Sequence, residues 1–184
     1  LTFCIMKKIV LFLLAITLIS CDVEDAVNQF IEDAGVVKAD INGVTKTWEF
    51  GPNSLGALLS TESVGTETIY AFSVAASTDG VSDNSETTAI GVVVFIDSPE
   101  DIIFGATFTS SADLIVGSYA FESDNSTTNI DADQTVSATL HISAINASAE
   151  TISGTFSFKT TDDDTNITYN ITNGSFSEIP YYND

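Results

Sequence analysis

Arginine is missing from this chain altogether. Its five basic residues are all lysine: Lys7, Lys8, Lys38, Lys46 and Lys159. Against them stand 26 acidic residues, for a formal net charge of −21. Nucleic acid binding needs Lys and Arg to neutralise phosphates, so that partner is excluded. Two-point recognition of carboxylates or phosphates by a guanidinium is excluded with it. Cysteine occurs only at positions 4 and 21, and His141 is the only histidine. That is too few nitrogen and sulfur donors for a zinc site of the usual kind. The longest apolar run, Ile9 to Ile19, has 11 residues, and a membrane-crossing helix needs roughly 20.

The apolar run sits in a recognisable setting. Met6-Lys7-Lys8 gives it a basic start, and Leu18-Ile19-Ser20-Cys21 ends it. This is the order of a secretory signal peptide, with Met6 expected as the true initiator and the cut before Cys21. Leu-Ile-Ser-Cys resembles a bacterial lipobox, which implies a lipidated Cys21. Two or more acyl chains hold a protein stably at a membrane, at about 0.8 kcal/mol per buried CH₂. The membrane is therefore an expected partner, through the lipid. Cys4 lies before the cut, so no free thiol is expected afterwards, and thiol catalysis and redox switching drop out. The acidic residues all follow the cut with three lysines, which leaves −23. A charge of that size reads as a solvated, anion-repelling shell.

The expected layout is a signal peptide over 1–20, a tether or short helix over 21–35, and one domain over 36–184. In the tether, Val23, Val27, Phe30, Ile31 and Ala34 fall on one face at helical spacing. Asp22, Glu24 and Asp25 resemble the acidic export signals of surface lipoproteins in the Bacteroidota. That implies the outer membrane or cell surface. The enterobacterial rule for Asp after the cysteine would instead retain the protein at the inner membrane, so the leaflet stays open.

From Val36 onward the period is two, which predicts strands. Asn42-Gly43 predicts a type I′ hairpin turn, because that turn needs positive φ at both central residues. It would set Ile41 opposite Val44 and Val37 opposite Trp48, with Val37, Ala39, Ile41, Val44, Trp48 and Phe50 on the core face. Lys46 shares that face, with its stem buried and its ammonium in water. Further strands are expected over Thr66–Ala76, Ala89–Ile96, Leu114–Phe121, Thr135–Ile145, Thr151–Lys159 and Ile167–Thr172. Ala89–Ile96 is apolar on both faces and reads as a central, doubly covered strand. Loops rich in Asp, Asn, Ser and Thr separate these runs, among them 79–86, 122–134 and 161–166. The fold class is all-β: a single antiparallel sandwich or barrel of about eight to ten strands. Ile115-Val-Gly-Ser-Tyr-Ala-Phe121 and Ile152-Ser-Gly-Thr-Phe-Ser-Phe158 align at an offset of 37. The match reads as recurring strand and turn chemistry.

These residues carry a resemblance. The lipobox, Lys38-Ala-Asp-Ile-Asn-Gly-Val-Thr-Lys-Thr-Trp48, Ile152 to Phe158, and Ile171-Thr-Asn-Gly-Ser-Phe176 resemble small flavobacterial envelope lipoproteins with a β-rich domain of unknown function. The likeness runs over most of 36–182 and is loose from Leu55 to Asp133. It implies a β-rich domain at the cell envelope and supplies no catalytic residues.

Nothing in the chain assembles a defined chemistry. His141 lies between Thr139 and Ser143 on one strand face, and Ser143 is about 6.5–7 Å away along the strand. No Gly-x-Ser-x-Gly elbow accompanies it, so it reads as a strand histidine. Carboxylate pairs of glycosidase type arise by accident among 26 acids, and no pair stands out. Two acidic loops are weak calcium candidates: Asp162, Asp164 and Asn166 in one, Asp124, Asp131 and Asp133 in the other. Calcium wants six to eight oxygens, but Ile167 stands where the EF-hand loop needs Gly, so no cofactor is expected. The leading expectation is a non-enzymatic binding or structural module. The alternatives are a glycan- or small-ligand-binding domain, using aromatics such as Tyr181 and Tyr182, or a hydrolase on a β scaffold. A protein or glycan partner is not identified by the sequence.

Overall fold

The computed structural model describes residues 35–49, 53–64, 67–78, 86–123 and 130–183. The expected signal peptide, Cys21, the amphipathic tether and Phe50 lie outside them. Ten strands account for most of the described residues: β1 (Val36–Ile41), β2 (Val44–Glu49), β3 (Asn53–Val64), β4 (Glu67–Thr78), β5 (Glu86–Ile96), β6 (Thr107–Thr109), β7 (Leu114–Ser123), β8 (Ile130–Asn146), β9 (Thr151–Asp162) and β10 (Thr168–Asn183). A single 3₁₀ turn, Pro99–Asp101, is capped by Ser98. The all-β expectation holds, and among the described residues no helix is long and apolar enough to cross a membrane.

Pairing follows the order β2-β1-β10-β3-β4-β5-β7-β8-β6, and β9 joins β10 to β8. Seven strands therefore close a ring: β3, β4, β5, β7, β8, β9 and β10. Side chains of β1, β4, β5 and β9 meet across its interior, so the ring reads as two layers that share their corners. One layer is β3-β4-β5-β7. The other is β2-β1-β10-β9-β8-β6. The long strands β8 and β10 belong to both. Near its start β8 pairs with β7, at Ile130 and Ala132; further on it pairs with β6, at Thr139 and His141. Register shifts between Ala132 and Gln134 and between Thr135 and Ser137 mark the bend, as bulges do at sheet corners. Where the regular β7–β8 ladder ends, the Thr135 hydroxyl takes over. It accepts from the Gly117 N–H at 2.8 Å and donates to the Gly117 carbonyl at 3.0 Å. The last residues of β10 pair parallel with β3, through Tyr181, Tyr182 and Asn183. That is the one departure from a purely antiparallel arrangement among the described strands.

The first hairpin forms as its sequence predicts. Asn42 has φ +50° and Gly43 +84°, and Val37 sits opposite Trp48 while Ile41 sits opposite Val44. Trp48 and Val37 are each 1 % exposed. The Trp48 indole N–H donates to the Thr88 carbonyl on β5 at 3.4 Å, so the hairpin lies against the opposite layer. Val44 breaks the expected core face. It is 62 % exposed, because it flanks the turn on an edge strand with no opposing layer beyond it. Several boundaries also move. β3 and β6 lie outside the expected strands, β8 begins at Ile130 inside the expected loop, and β10 runs eleven residues past Thr172 to Asn183.

The core fills the space between layers from alternate positions of each strand. Its largest fully buried side chains include Trp48, Phe72, Phe176, Leu59, Leu140 and Ile142. Three inward glycines make room for aromatic rings. Gly154 on β9 faces the Phe176 ring, Gly174 on β10 faces the Phe156 ring, and Gly117 on β7 faces the Phe158 ring. The first two form a reciprocal pair, since Phe176 pairs with Gly154 and Phe156 with Gly174 across the β9–β10 ladder. Gly-x-aromatic recurs on β7, β9 and β10 for this reason: each glycine lacks the volume that another strand's ring supplies.

Candidate binding surface

One gap between the layers is closed to solvent molecules. The gap lined by Val37, Val74, Ile90, Val92 and Phe156 does not admit a water molecule. The two outer faces differ sharply.

The outer face of the β2-β1-β10-β9-β8-β6 layer is polar. Register places Thr107, His141, Thr155, Ser175, Lys38 and Thr47 in one continuous row across six strands. At about 4.8 Å per strand such a row spans about 24 Å. Each member alternates with a buried neighbour: Phe108, Leu140, Phe156, Phe176, Val37 and Trp48 are all core. Folding of the core thus forces the polar set outward. The Thr107 hydroxyl meets His141 Nδ1 at 2.8 Å. A second row holds Thr109, Thr139, Ser157, Thr172, Asp40 and Thr45 on the same face, interrupted by a register shift in β10 after Ile171. Asp40 accepts from the Asn173 amide at 2.8 Å and from the Thr45 hydroxyl, and these two bonds hold its carboxyl below the usual range. Lys38 and Lys159, two of the three lysines among the described residues, also lie on this face.

The outer face of the β3-β4-β5-β7 layer carries no charge over its central rows. On β3 it shows Gly56, Leu58 and Ser60; on β4, Ala71, Ser73 and Ala75. On β5 it shows Gly91, Val93 and Phe95; on β7, Leu114, Val116 and Ser118. Charged residues return only at the ends, as with Glu62 and Glu122. The expected double cover of β5 is thus half correct. Its inner face is core, and on its outer face Val93 is also buried, at 6 % exposed, between half-buried Gly91 and Phe95.

Of the residues suggested for calcium, Asp131 on β8 is brought beside Asp162 at the end of β9. Asp162 is 2 % exposed. One of its oxygens accepts from the Thr165 N–H at 2.7 Å and the Thr165 hydroxyl at 2.8 Å. The other accepts from the Asp131 N–H at 3.1 Å. The Thr165 backbone and Asp131 backbone bonds lower the Asp162 carboxyl. Burial, then the neighbouring Asp133, Asp162 and Asp164, raise that of Asp131. The Asp162 oxygens are thus committed to holding the β9–β10 turn and the start of β8. Asp164 and Asn166 are exposed, and Asp124 lies outside the described residues. Among the described residues no group of three or more His, Cys, Asp or Glu is placed to hold a metal ion.

The aromatics named for glycan stacking are not free. Tyr181 meets Phe72 edge-on at 6.0 Å, Tyr182 lies over Gly56 with its hydroxyl buried and unpartnered, and Trp48 is in the core. Sequence patterning does not single out the polar rows, although Lys38, Thr47, Thr155 and Ser175 each stand in an alternating strand. Only the strand order makes them neighbours.

One family model, a domain of unknown function designated DUF6252, matches residues 59–180, two thirds of the chain. The chain belongs to the DUF6252 family. No curated protein and no solved structure matches it. The DUF6252 segment begins within β3 and ends within β10, so it contains all three pairs of glycine and aromatic ring described above. The β1–β2 hairpin precedes the matched segment yet fills the same core.

Proposed function

We propose that this DUF6252 protein is a lipid-anchored, non-enzymatic binding module of the cell envelope. In this reading it holds an uncharged, hydroxyl-rich glycan chain on its polar outer face. The observation that carries the reading is the six-strand row from Thr107 to Thr47. It offers closely spaced donors and acceptors on rigid strands, the arrangement in which polar contacts lose least entropy on binding. The gap between Val37, Val92 and Phe156 is too small for a water molecule, which argues against carriage of a small ligand there. The acidic remainder of the surface would repel anionic polymers, which favours a neutral glycan. Recognition here would rest on hydrogen bonds rather than stacking, since the row contains no aromatic residue apart from the His141 imidazole. Attachment through Cys21 would place that face near envelope polymers.

Co-sedimentation of the full chain with an insoluble neutral β-glucan tests the reading, with an anionic polysaccharide as the control. Retention on the neutral polymer alone is expected. The triple variant Thr47→Ala/Thr155→Ala/Ser175→Ala should lose at least about tenfold in affinity, each lost hydrogen bond contributing about 0.5–1.5 kcal/mol. No retention of the parent, or equal retention of the variant, refutes it. The anchor is tested separately: Cys21→Ala should leave the membrane fraction, and a variant still there after a high-salt wash refutes the lipid.

A further inference from the structure

We propose that the uncharged outer face of the β3-β4-β5-β7 layer is a self-association surface, on which a second copy of this chain packs sheet against sheet about a two-fold axis. Two copies carrying −21 each repel wherever acidic residues face one another. Over Gly56 to Ser60, Ala71 to Ala75, Gly91 to Phe95 and Leu114 to Ser118 there is no charged residue to oppose contact. A two-fold axis sets a surface against itself, so a like-charge clash would be doubled there and its absence counts twice. The polar layer has no such stretch, with Lys38, Asp40 and Lys159 spread across it.

Shape agrees with charge. Gly56, Ala71, Ala75 and Gly91 are small, and Leu58, Phe95 and Leu114 stand among them as ridges; Leu114 is 42 % exposed. Packed sheets lie about 10 Å apart and interdigitate side chains of this mixture at about −30°. Four strands at about 4.8 Å and four rows at about 6.8 Å, the fourth row being Ser54, Ser77, Ala89 and Ala120, present roughly 500 Å² per copy. Tyr182, at the rim on β10, adds to this. The total is a little over about 1,000 Å², the lower bound for a specific interface. The association is therefore reversible and weak, and salt should strengthen it by screening the remaining acids, whose mutual repulsion reaches about 10 Å at 0.1 M.

Oxidative cross-linking of the full chain tests this. Ser73 lies near the centre of the face and is half-buried, so Ser73→Cys is mild. Thr155→Cys on the opposite face is the control, and the unsubstituted chain, with Cys4 and Cys21, sets the baseline. The expected result is a disulfide-linked dimer for Ser73→Cys, at least about tenfold above both comparisons and increasing between 0.05 and 0.5 M salt, roughly the range over which the screening length falls from above to below 10 Å. Placing a charge on the face through Leu58→Asp in the same background should abolish the dimer while circular dichroism stays that of the parent. A folded Ser73→Cys chain that remains monomeric overturns the proposal, whether its thiol is reactive or shielded by some other occupant. Equal cross-linking at Thr155→Cys overturns it as well. Neither outcome depends on glycan binding.

Discussion

Replacing Gly154 by alanine adds a single methyl group at the most crowded point of the β9–β10 ladder. An added Cβ there would stand under 3.0 Å from the His141 carbonyl oxygen on β8 and from the Phe176 ring on β10, where ordinary contact begins at 3.4 Å. The His141 carbonyl is backbone between two paired strands and has nowhere to go. Overpacking a core costs about 1–3 kcal/mol and sometimes more, against a gain of about 0.4–1 kcal/mol from the stiffer unfolded chain. A net loss of about 2 kcal/mol is expected, which for a domain of this size lowers Tm by about 4–8 °C. Gly117 is the control. The three atoms nearest an added Cβ there all belong to the Phe158 side chain, its Cγ, Cδ2 and Cβ, so Phe158→Ala, which removes the two nearest, should recover part of the loss in Gly117→Ala. Phe176→Leu should not recover Gly154→Ala, because the carbonyl remains. Urea unfolding of the single and paired variants, followed by the fluorescence of Trp48, measures both couplings as double-mutant cycles. A Gly154→Ala protein within about 0.5 kcal/mol of the parent, or equal rescue at the two sites, refutes the reciprocal packing.

The first hairpin and the acidic corner give two further tests. Gly43→Val forces a β-branched residue to φ +84° and should cost at least about 1 kcal/mol, while Trp48→Ala should cost about 3–5 kcal/mol; native Trp48 emission at the wavelength of a water-exposed indole would refute the placement of the ring. Asp162 has its carboxyl lowered in the folded state by the Thr165 and Asp131 backbone bonds, so it adds stability above its unfolded value of 3.8, and that part is lost as pH falls through the folded value. Asp131 is raised by burial and its acidic neighbours and acts in the opposite sense, being relieved by protonation. Asp162→Asn should therefore weaken the fall in urea midpoint between about pH 5 and pH 2, and an unchanged pH profile would refute the role of its bonds.

The sequence by itself determined the class of fold and the local turns. Alternation at Val37, Ala39 and Ile41 and at Gly154, Phe156 and Phe158 requires strands with one buried face, since side chains on a strand change sides at every residue. Asn42-Gly43 determined its turn, because the φ values it needs are those these two residues tolerate best. Arginine's absence and the acid excess set the charge that partners meet. Only the tertiary structure decided which strands become neighbours. β3 carries leucine on both faces, at Leu55, Leu58 and Leu59, and has little hydrophobic contrast, so its pairing with β4 and its parallel contact with β10 had no local signal. The same is true of the match between Gly154 and Phe176, which lie 22 residues apart in sequence and meet through the β9–β10 register. Asp131 and Asp162 read as separate loops and share one corner because β8 pairs with β9. The polar row from Thr107 to Thr47 and the uncharged face opposite it have the same origin. Alternation fixes which side a residue takes along its own strand, and the closure of the ring fixes what stands beside it.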